Sequence, residues 1–343
     1  MRNDTLAAAS DIGVWATMVV LALSMVMFAA HLAVQASSAR TQAQPQVLVG
    51  SSSMSRAGRG ANEARANDVD ANHAGDTVVQ KPRSRRWGVL GLQFTLVATG
   101  LLVVSTALRG LSVQRAPLGN MYEFALAASC FALIIYSGWS LRRDLLWLGL
   151  FVAAPVLLIL GFARGAWYTE ASQLLPSLRS IWLVIHVTVA TFTVGLFIIG
   201  FATAVLYLLQ DRREQRLDAS PVPEGKSAKG QRGSWLKALP QAEALERLTY
   251  GIHVVAFPLW TFTLIAGAIW AEQAWGRYWG WDAKEVWTFV IFVVYAAYLH
   301  ARATTGWTTR KATWLAIVGF GCIVMNYAVV NIFFVGLHSY SGV

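Results

Sequence analysis

The chain has 343 residues, of which 56% are hydrophobic and only 13% are charged. Soluble globular domains contain about 25% charged residues, so this composition excludes an ordinary soluble enzyme, and two cysteines in apolar segments (Cys130 and Cys322) exclude a disulfide scaffold. The net charge of +10 at pH 7 would suit a nucleic-acid-binding protein, but the distribution of the charges gives it another meaning.

Apolar segments long enough to cross a membrane dominate the sequence. A transmembrane helix needs about 20 mostly apolar residues, and eight segments reach or approach that length. In chain order they are residues 14–34, 87–108, 121–139, 145–163, 181–209, 252–274, 285–301 and 313–336. We therefore predict an all-α fold, a polytopic membrane helix bundle with about eight transmembrane helices.

Polar segments divide the apolar ones into groups. The predicted units are a first transmembrane helix (1–35), an insert (36–86), transmembrane helices two to five (87–209), a loop (210–248) and transmembrane helices six to eight (249–343). The insert and residues 210–236 lack apolar periodicity. Because such segments bury too little apolar surface to offset chain entropy, we predict that both are disordered.

The basic residues indicate an orientation in the membrane. If residues 36–86, 140–144, 210–248 and 302–312 face the cytoplasm, 21 of the 28 Lys and Arg residues lie on that side. Cytoplasmic loops carry an excess of Lys and Arg, so we predict that both termini lie outside the cytoplasm. The positive charge is then a topology signal, and nucleic acid is not expected as a partner.

Tryptophan is concentrated between the sixth and seventh apolar segments. Five of the 15 tryptophans lie within residues 270–287. An interfacial aromatic belt explains one or two of them per helix end, but it explains poorly the run Trp-Gly-Arg-Tyr-Trp-Gly-Trp-Asp at 275–282. Indoles separated by glycines suit a large planar ligand, and Arg277 and Lys284 can meet its carboxylates. The belt and the ligand site both remain open at this point. Asp282 starts a pattern typical of a helix capping box, which we favour over acid–base chemistry.

Histidines also stand out. Five of the six lie in or at the ends of apolar segments, where ionisable groups are costly and often functional. A single one is more simply explained as a core histidine with a hydrogen bond. However, His186 and His338 both fall near the predicted outer ends of their segments and flank the tryptophan-rich loop. Two neutral imidazoles on opposite faces of a flat ligand describe a bis-histidine haem iron.

Five motifs, in order, resemble a known family. Residues 275–285, Trp-Gly-Arg-Tyr-Trp-Gly-Trp-Asp-Ala-Lys-Glu, resemble the tryptophan-rich signature of haem-handling proteins in cytochrome c biogenesis, of the CcsA/ResC type (System II). The other matching segments are 116–123, 181–187, 295–300 and 330–340, so the resemblance covers about residues 87–343. Two departures are Ala283, where the family commonly has Pro, and the insert 36–86.

The resemblance implies a function and a site. It implies a membrane subunit of a cytochrome c synthase that, with a ResB/CcsB-type membrane partner, exports haem b across the bacterial plasma membrane as a transient substrate. The haem is presented outside for attachment to Cys-x-x-Cys-His thiols of apocytochrome c, so this chain needs no catalytic nucleophile. The implied iron ligands are His186 and His338 at the outer site and His300 at an earlier membrane site. The implied porphyrin-holding residues of the external loop (275–285) are Trp275, Trp279, Trp281 and Asp282.

Three alternatives stay open. One is an electron-transfer or transporter subunit that retains its haem, although such a protein does not call for the tryptophan-rich loop. Another is an assembly scaffold without a cofactor, which leaves the placement of His186 and His338 unexplained. At the inner site, the second iron ligand beside His300 comes from the partner subunit or, as the rival hypothesis, from His253 or His31 of this chain.

Overall fold

A computed structural model describes residues 2–42, 83–219, 235–334 and 336–338. Within these ranges the regular secondary structure is helical, and eight helices are long and apolar enough to cross a membrane. The prediction of a polytopic helical membrane protein is therefore confirmed. The chain order is α1 (Asp4–Gln42), α2 (Arg83–Ser112), α3 (Met121–Ser140), α4 (Gly149–Ala166), α5 (Ile181–Asp218), α6 (Ala242–Trp275), α7 (Ala283–Ala303) and α8 (Thr309–Val324).

Several helices extend beyond the apolar segments. Helix α1 continues to Gln42, α2 begins at Arg83 and α5 continues to Asp218, so the described parts of the segments predicted as disordered are helical there. The extension of α5 is rich in Arg, Gln, Glu and Leu, which are strong helix formers and need no burial to continue a helix. The greater part of the predicted insert, residues 43–82, and residues 220–234 lie outside the described ranges.

Helix α5 is the centre of the bundle. It packs against α3, α6 and α8, while α1 and α2 pack against each other. A close crossing with α3 is possible because residue 195 is glycine: a Cβ added to Gly195 would lie 2.9 Å from the backbone nitrogen of Ala132. The outer faces of α1, α2 and α7 expose large apolar side chains such as Val97 and Phe289, as expected of surfaces in contact with lipid tails.

Four connecting segments meet at one end of the bundle. They are the α2–α3 loop (113–120), the α4–α5 loop (167–180), the α6–α7 loop (276–282) and the residues after α8. Hydrogen bonds join the first two: the Gln173 amide donates to the Val113 carbonyl at 2.6 Å, and Arg109 donates to the Thr169 carbonyl. We call this end the tryptophan-loop end, because the α6–α7 loop carries the tryptophan-rich run.

A buried carboxylate fixes the α2–α3 loop. Glu123, in the first turn of α3, is fully buried and accepts hydrogen bonds from Arg109 Nε at 3.0 Å, Arg115 Nη1 at 2.7 Å and the Gly119 amide at 2.7 Å. Asn120 caps the same helix by accepting from the Glu123 amide at 2.8 Å. These bonds hold residues 118–121, which form one wall of the cavity described next.

Candidate functional site

A large cavity opens between the helices at the tryptophan-loop end. It contains about 1180 Å³ of empty space, including solvent at its mouth. Its deep part is apolar, with Val194 from α5, Trp260 from α6, Ile291 from α7 and Ile323 from α8. Apolar walls with a few polar groups are typical of small-molecule sites, so the cavity suits an apolar ligand.

His186 lies on the α5 wall of this cavity. Its Nδ1 is 2.9 Å from the Thr263 carbonyl oxygen of α6. Because a carbonyl only accepts, Nδ1 carries the proton and the lone pair of the neutral ring is on Nε2. The ring rests on Gly267, where an added Cβ would be 2.8 Å from Cε1, and it stacks on the Trp270 indole with 6.0 Å between centroids and 13° between planes.

His338 lines the same cavity from the segment that follows α8. Its Nδ1 donates to Asp282 Oδ1 at 3.0 Å, so the neutral ring carries its lone pair on Nε2. The Trp270 and Trp275 indoles lie against the imidazole, with centroids 6.0 Å and 5.0 Å away. The structure therefore brings the two predicted outer histidines into one cavity, where both rings lie near the Trp270 indole.

Asp282 has two structural roles. It caps α7 by accepting from the Lys284 amide at 2.9 Å, and Glu285 completes the capping box by accepting from the Asp282 amide at 3.1 Å. The predicted capping role is thus confirmed. Its carboxylate also holds residues 336–338, which we call the histidine segment. It accepts hydrogen bonds there from His338 Nδ1 and from the Leu337 amide at 2.8 Å. Carboxylates that bind the second nitrogen of a metal-ligating histidine orient the ring and raise its basicity.

The pKa of Asp282 reflects these bonds. Burial raises the pKa, but the hydrogen bonds from His338, from the Lys284 amide and from the Leu337 amide outweigh burial and lower the pKa to about 2. The carboxylate is therefore ionised at neutral pH. It contacts the His338 imidazole and does not line the cavity.

The three tryptophans predicted as a stacking surface have different environments. Trp279 lines the cavity. Trp275 packs edge-on against Trp270, with 4.9 Å between centroids, and lies behind His338. Trp281 is 76% exposed. The backbone turns through a left-handed residue at Gly276 (φ 70°) and another at Trp281 (φ 58°), so neighbouring indoles point in different directions.

The three histidines predicted at the inner level have separate surroundings and do not line this cavity. His300 is exposed near the far end of α7. His253 is 1% exposed, hydrogen-bonds through Nδ1 to the Thr249 carbonyl at 2.7 Å and packs against Tyr295 and other rings. His31 is buried where α1 meets Gly88 of α2. A pair formed by His300 with His253 or His31 therefore stays a prediction.

Some site residues were not apparent from the sequence pattern. Trp270, Tyr327 and Phe124 take part in the cavity wall, yet apolar residues at helical spacing predict only core positions. Asn331 and His338 are seven residues apart, a spacing that would place them on one face of a continuous helix, but the helix ends at Phe333 and its preceding turn, Met325–Val330, is π-helical. A π-turn shifts the helical register, which spacing alone does not reveal.

Arg277 and Lys284, the two cations expected near a flat ligand, are placed differently. Lys284 lines the cavity, whereas the Arg277 guanidinium lies against Gly280 and does not contribute to the lining. The sequence pattern did not distinguish these two residues.

Comparison with known proteins shows the family of the chain. The sequence profile of the family described as "Cytochrome C assembly protein" matches residues 118–338, which include both cavity histidines. The "Cytochrome c biogenesis protein CcsA" of Trieres chinensis is 34% identical over 262 residues, covering 71% of this chain and 84% of the relative. That of Synechococcus sp. (strain RCC307) is 34% identical over 276 residues, covering 76% and 87%. The chain therefore belongs to the cytochrome c assembly protein family, as a CcsA-type multi-pass membrane protein of cytochrome c maturation.

Proposed function

We propose that the cavity binds haem between His186 and His338 and presents it for covalent attachment to apocytochrome c. The observation that carries the proposal is the convergence of these two imidazoles, from segments about 150 residues apart, on one large cavity. Each has its Nδ1 engaged by a fixed acceptor, so each neutral ring carries its lone pair on Nε2.

The remaining lining fits the same ligand. The deep walls are apolar, Trp279 offers an aromatic face, and glycine at position 267 leaves room for the His186 ring. An apolar cavity with two neutral nitrogen donors and one cation matches a flat, largely apolar iron porphyrin that carries carboxylates.

In the attachment reaction a cysteine thiol adds across a haem vinyl group. The sulfur bonds to one vinyl carbon, the thiol hydrogen goes to the other, and the carbon–carbon double bond becomes single, so no external oxidant or reductant is consumed. The thiols come from the Cys-x-x-Cys-His segment of the apocytochrome. The contribution of this chain is to hold the porphyrin still by its iron and to exclude water, which favours reaction through orientation.

The proposal includes a direction of transport. Haem b enters at the cytoplasmic side of the bacterial plasma membrane, where exposed His300 meets a second ligand from a ResB/CcsB-type partner, and leaves at the tryptophan-loop end. Both termini are then outside. Reporter fusions after residues 60, 225 and 343 test this topology: cytoplasmic signals at 60 and 225 and an external signal at 343 are expected. A cytoplasmic signal at 343 contradicts the external placement of His338.

Histidine substitution tests the site itself. His186→Gly and His338→Gly should each remove the bis-imidazole absorption of bound haem and abolish cytochrome c maturation, while the protein still accumulates. Added imidazole should restore part of both, since it supplies the same donor to the vacated position. His73→Gly, in the segment outside the described residues, is the matched control and should change neither readout.

Two results would contradict the assignment. A double variant that matures cytochrome c normally shows that His186 and His338 are not needed as ligands. Haem that stays with the wild-type chain while apocytochrome is matured in excess favours instead a subunit that retains its haem.

A further inference from the structure

Polar side chains cluster on one side of the cavity. It is formed by Lys284, Glu285 and Thr288 at the start of α7 and by Asn326 and Asn331 around the π-helical turn of α8. We call these five residues the polar wall. The wall adjoins the histidine site, since His186 lies within electrostatic range of both Lys284 and His338.

Lys284 brings an amino group to the polar wall, with the Asp282 carboxylate within electrostatic range but not ion-paired with it. Its Nζ donates to Asn331 Oδ1 at 2.6 Å and to the Asn326 carbonyl at 3.3 Å. Both acceptors are neutral, and none of the ion pairs within the described ranges includes Lys284. A cation at the end of a membrane helix is costly unless an anion compensates it, so the wall is suited to a ligand with an acidic group.

Two acceptors on the same wall have no donor among the described residues. They are Glu285 Oε1 and Asn326 Oδ1, on side chains that are only 8% and 6% exposed. The other Glu285 oxygen accepts from the Gly280 and Asp282 amides, and the Asn326 amide nitrogen donates to Thr288 Oγ1 at 3.2 Å. Buried acceptors are normally satisfied, so the wall also offers places for ligand donors.

We propose that the polar wall binds the carboxyl groups of haem and thereby sets the orientation of the porphyrin. This inference rests on the proposed function. Haem carries two carboxyl groups on one edge: an ionised one accepts from Lys284 Nζ, and a protonated one donates to Glu285 Oε1 or Asn326 Oδ1. A single ligand therefore meets both the unpaired cation and the unsatisfied acceptors.

Orientation is a separate requirement from iron ligation. Two axial imidazoles leave the porphyrin able to rotate about the axis through the iron, so ligation alone does not decide which edge faces the wall. Attachment of the carboxyl edge at Lys284 removes this freedom and holds the vinyl edge away from the wall. Lys284 is thus a positioning residue for the vinyl groups.

The test compares two porphyrins with the purified full-length chain. Iron protoporphyrin IX and its dimethyl ester, in which both carboxyl groups are blocked, are titrated into the protein and followed by absorbance. A hydrogen bond to a charged group predicts that the wild type binds the diacid about tenfold more tightly, or more. Lys284→Met should lower the affinity for the diacid about tenfold, toward that for the ester, and leave the affinity for the ester unchanged. Lys284→Arg should retain the preference.

The matched control is Arg277→Met, which removes a nearby cation that does not line the cavity and should keep the tenfold preference. Three results would overturn the inference: no preference in the wild type, an equal loss for both porphyrins in Lys284→Met and Lys284→Gln, or loss of the preference in Arg277→Met. The bis-imidazole spectrum is a separate readout. Its absence from the wild type with either porphyrin contradicts the proposed function, whereas its presence without a diacid preference contradicts only the role of the polar wall.

Discussion

Substitution of Asp282 by Asn separates its two roles. In the wild type, Oδ1 accepts from the Lys284 amide and from His338 Nδ1, and Oδ2 accepts from the Leu337 amide. Asn is an equally good helix cap, so capping of α7 is preserved. However, whichever way the Asn amide is oriented, its NH₂ group faces a donor on the histidine segment. Asp282→Asn should therefore loosen His338 and leave α7 intact.

The size of the effect follows from the kind of contact. Loss of a group that orients a metal-ligating histidine costs about 10- to 100-fold in affinity. We expect Asp282→Asn to weaken haem binding by about this factor with little change in melting temperature. Asp282→Ala should show the same loss and, in addition, about 1 kcal/mol of destabilisation from the missing cap.

Absorbance titration with haem and thermal melting of the detergent-solubilised protein measure both quantities. Thr308→Ala is the matched control, because Thr308 caps α8 by accepting from the Lys311 amide at 3.3 Å, at the other end of the bundle. It should lower stability by about 1 kcal/mol without a change in haem affinity. Wild-type haem affinity in Asp282→Asn would refute the role of Asp282 in orienting His338.

The pH dependence gives a further check on the same residue. Folding lowers the pKa of Asp282 from 3.8 to about 2. A lowered carboxyl pKa stabilises the folded state above about pH 4, and this contribution is lost as the pH falls through about 2. The difference in haem affinity between Asp282→Asn and the wild type should therefore stay constant from pH 5 to 8. If the two haem affinities became equal within that range, Asp282 would not be ionised throughout it.

Three further predictions follow from the packing. A Cβ added to Gly336 would overlap Asp282 Oδ2, so Gly336→Ala should weaken haem binding as Asp282→Asn does; unchanged titrations would contradict this. Glu123→Ala leaves the buried Arg109 and the partly buried Arg115 without their carboxylate. It should cost about 3–5 kcal/mol, measured as a lower melting temperature; an unshifted melting curve would show that the cluster does not hold the loop. Trp279→Ala, in the cavity wall, should lower haem affinity about three- to tenfold. Trp281 is 76% exposed, so Trp281→Ala should leave the affinity unchanged. A loss of affinity in Trp281→Ala but not in Trp279→Ala would assign the stacking to Trp281.

The local sequence determined much of this protein. Apolar segments of membrane-spanning length predict the eight helices because a bilayer demands a fixed number of apolar residues per crossing. The Asp-Ala-Lys-Glu pattern predicted the start of α7, because capping involves residues only three positions apart. His186 and His338 were identified because imidazoles are rare at the ends of apolar segments and flank an unusual run of indoles.

Only the tertiary structure decided how those residues combine. That His186 and His338 share a cavity depends on the packing of α5, α6 and the segment after α8, and no local pattern encodes contacts across 150 residues. The pairing of Asp282 with His338 arises in the same way. Trp279 lies in the cavity wall and Trp281 in solvent because two left-handed backbone residues re-aim the loop, and Lys284 meets Asn331 because a π-turn shifts the register of α8. Spacing along the chain specifies which side chains are present, whereas backbone turns and helix packing specify where they point.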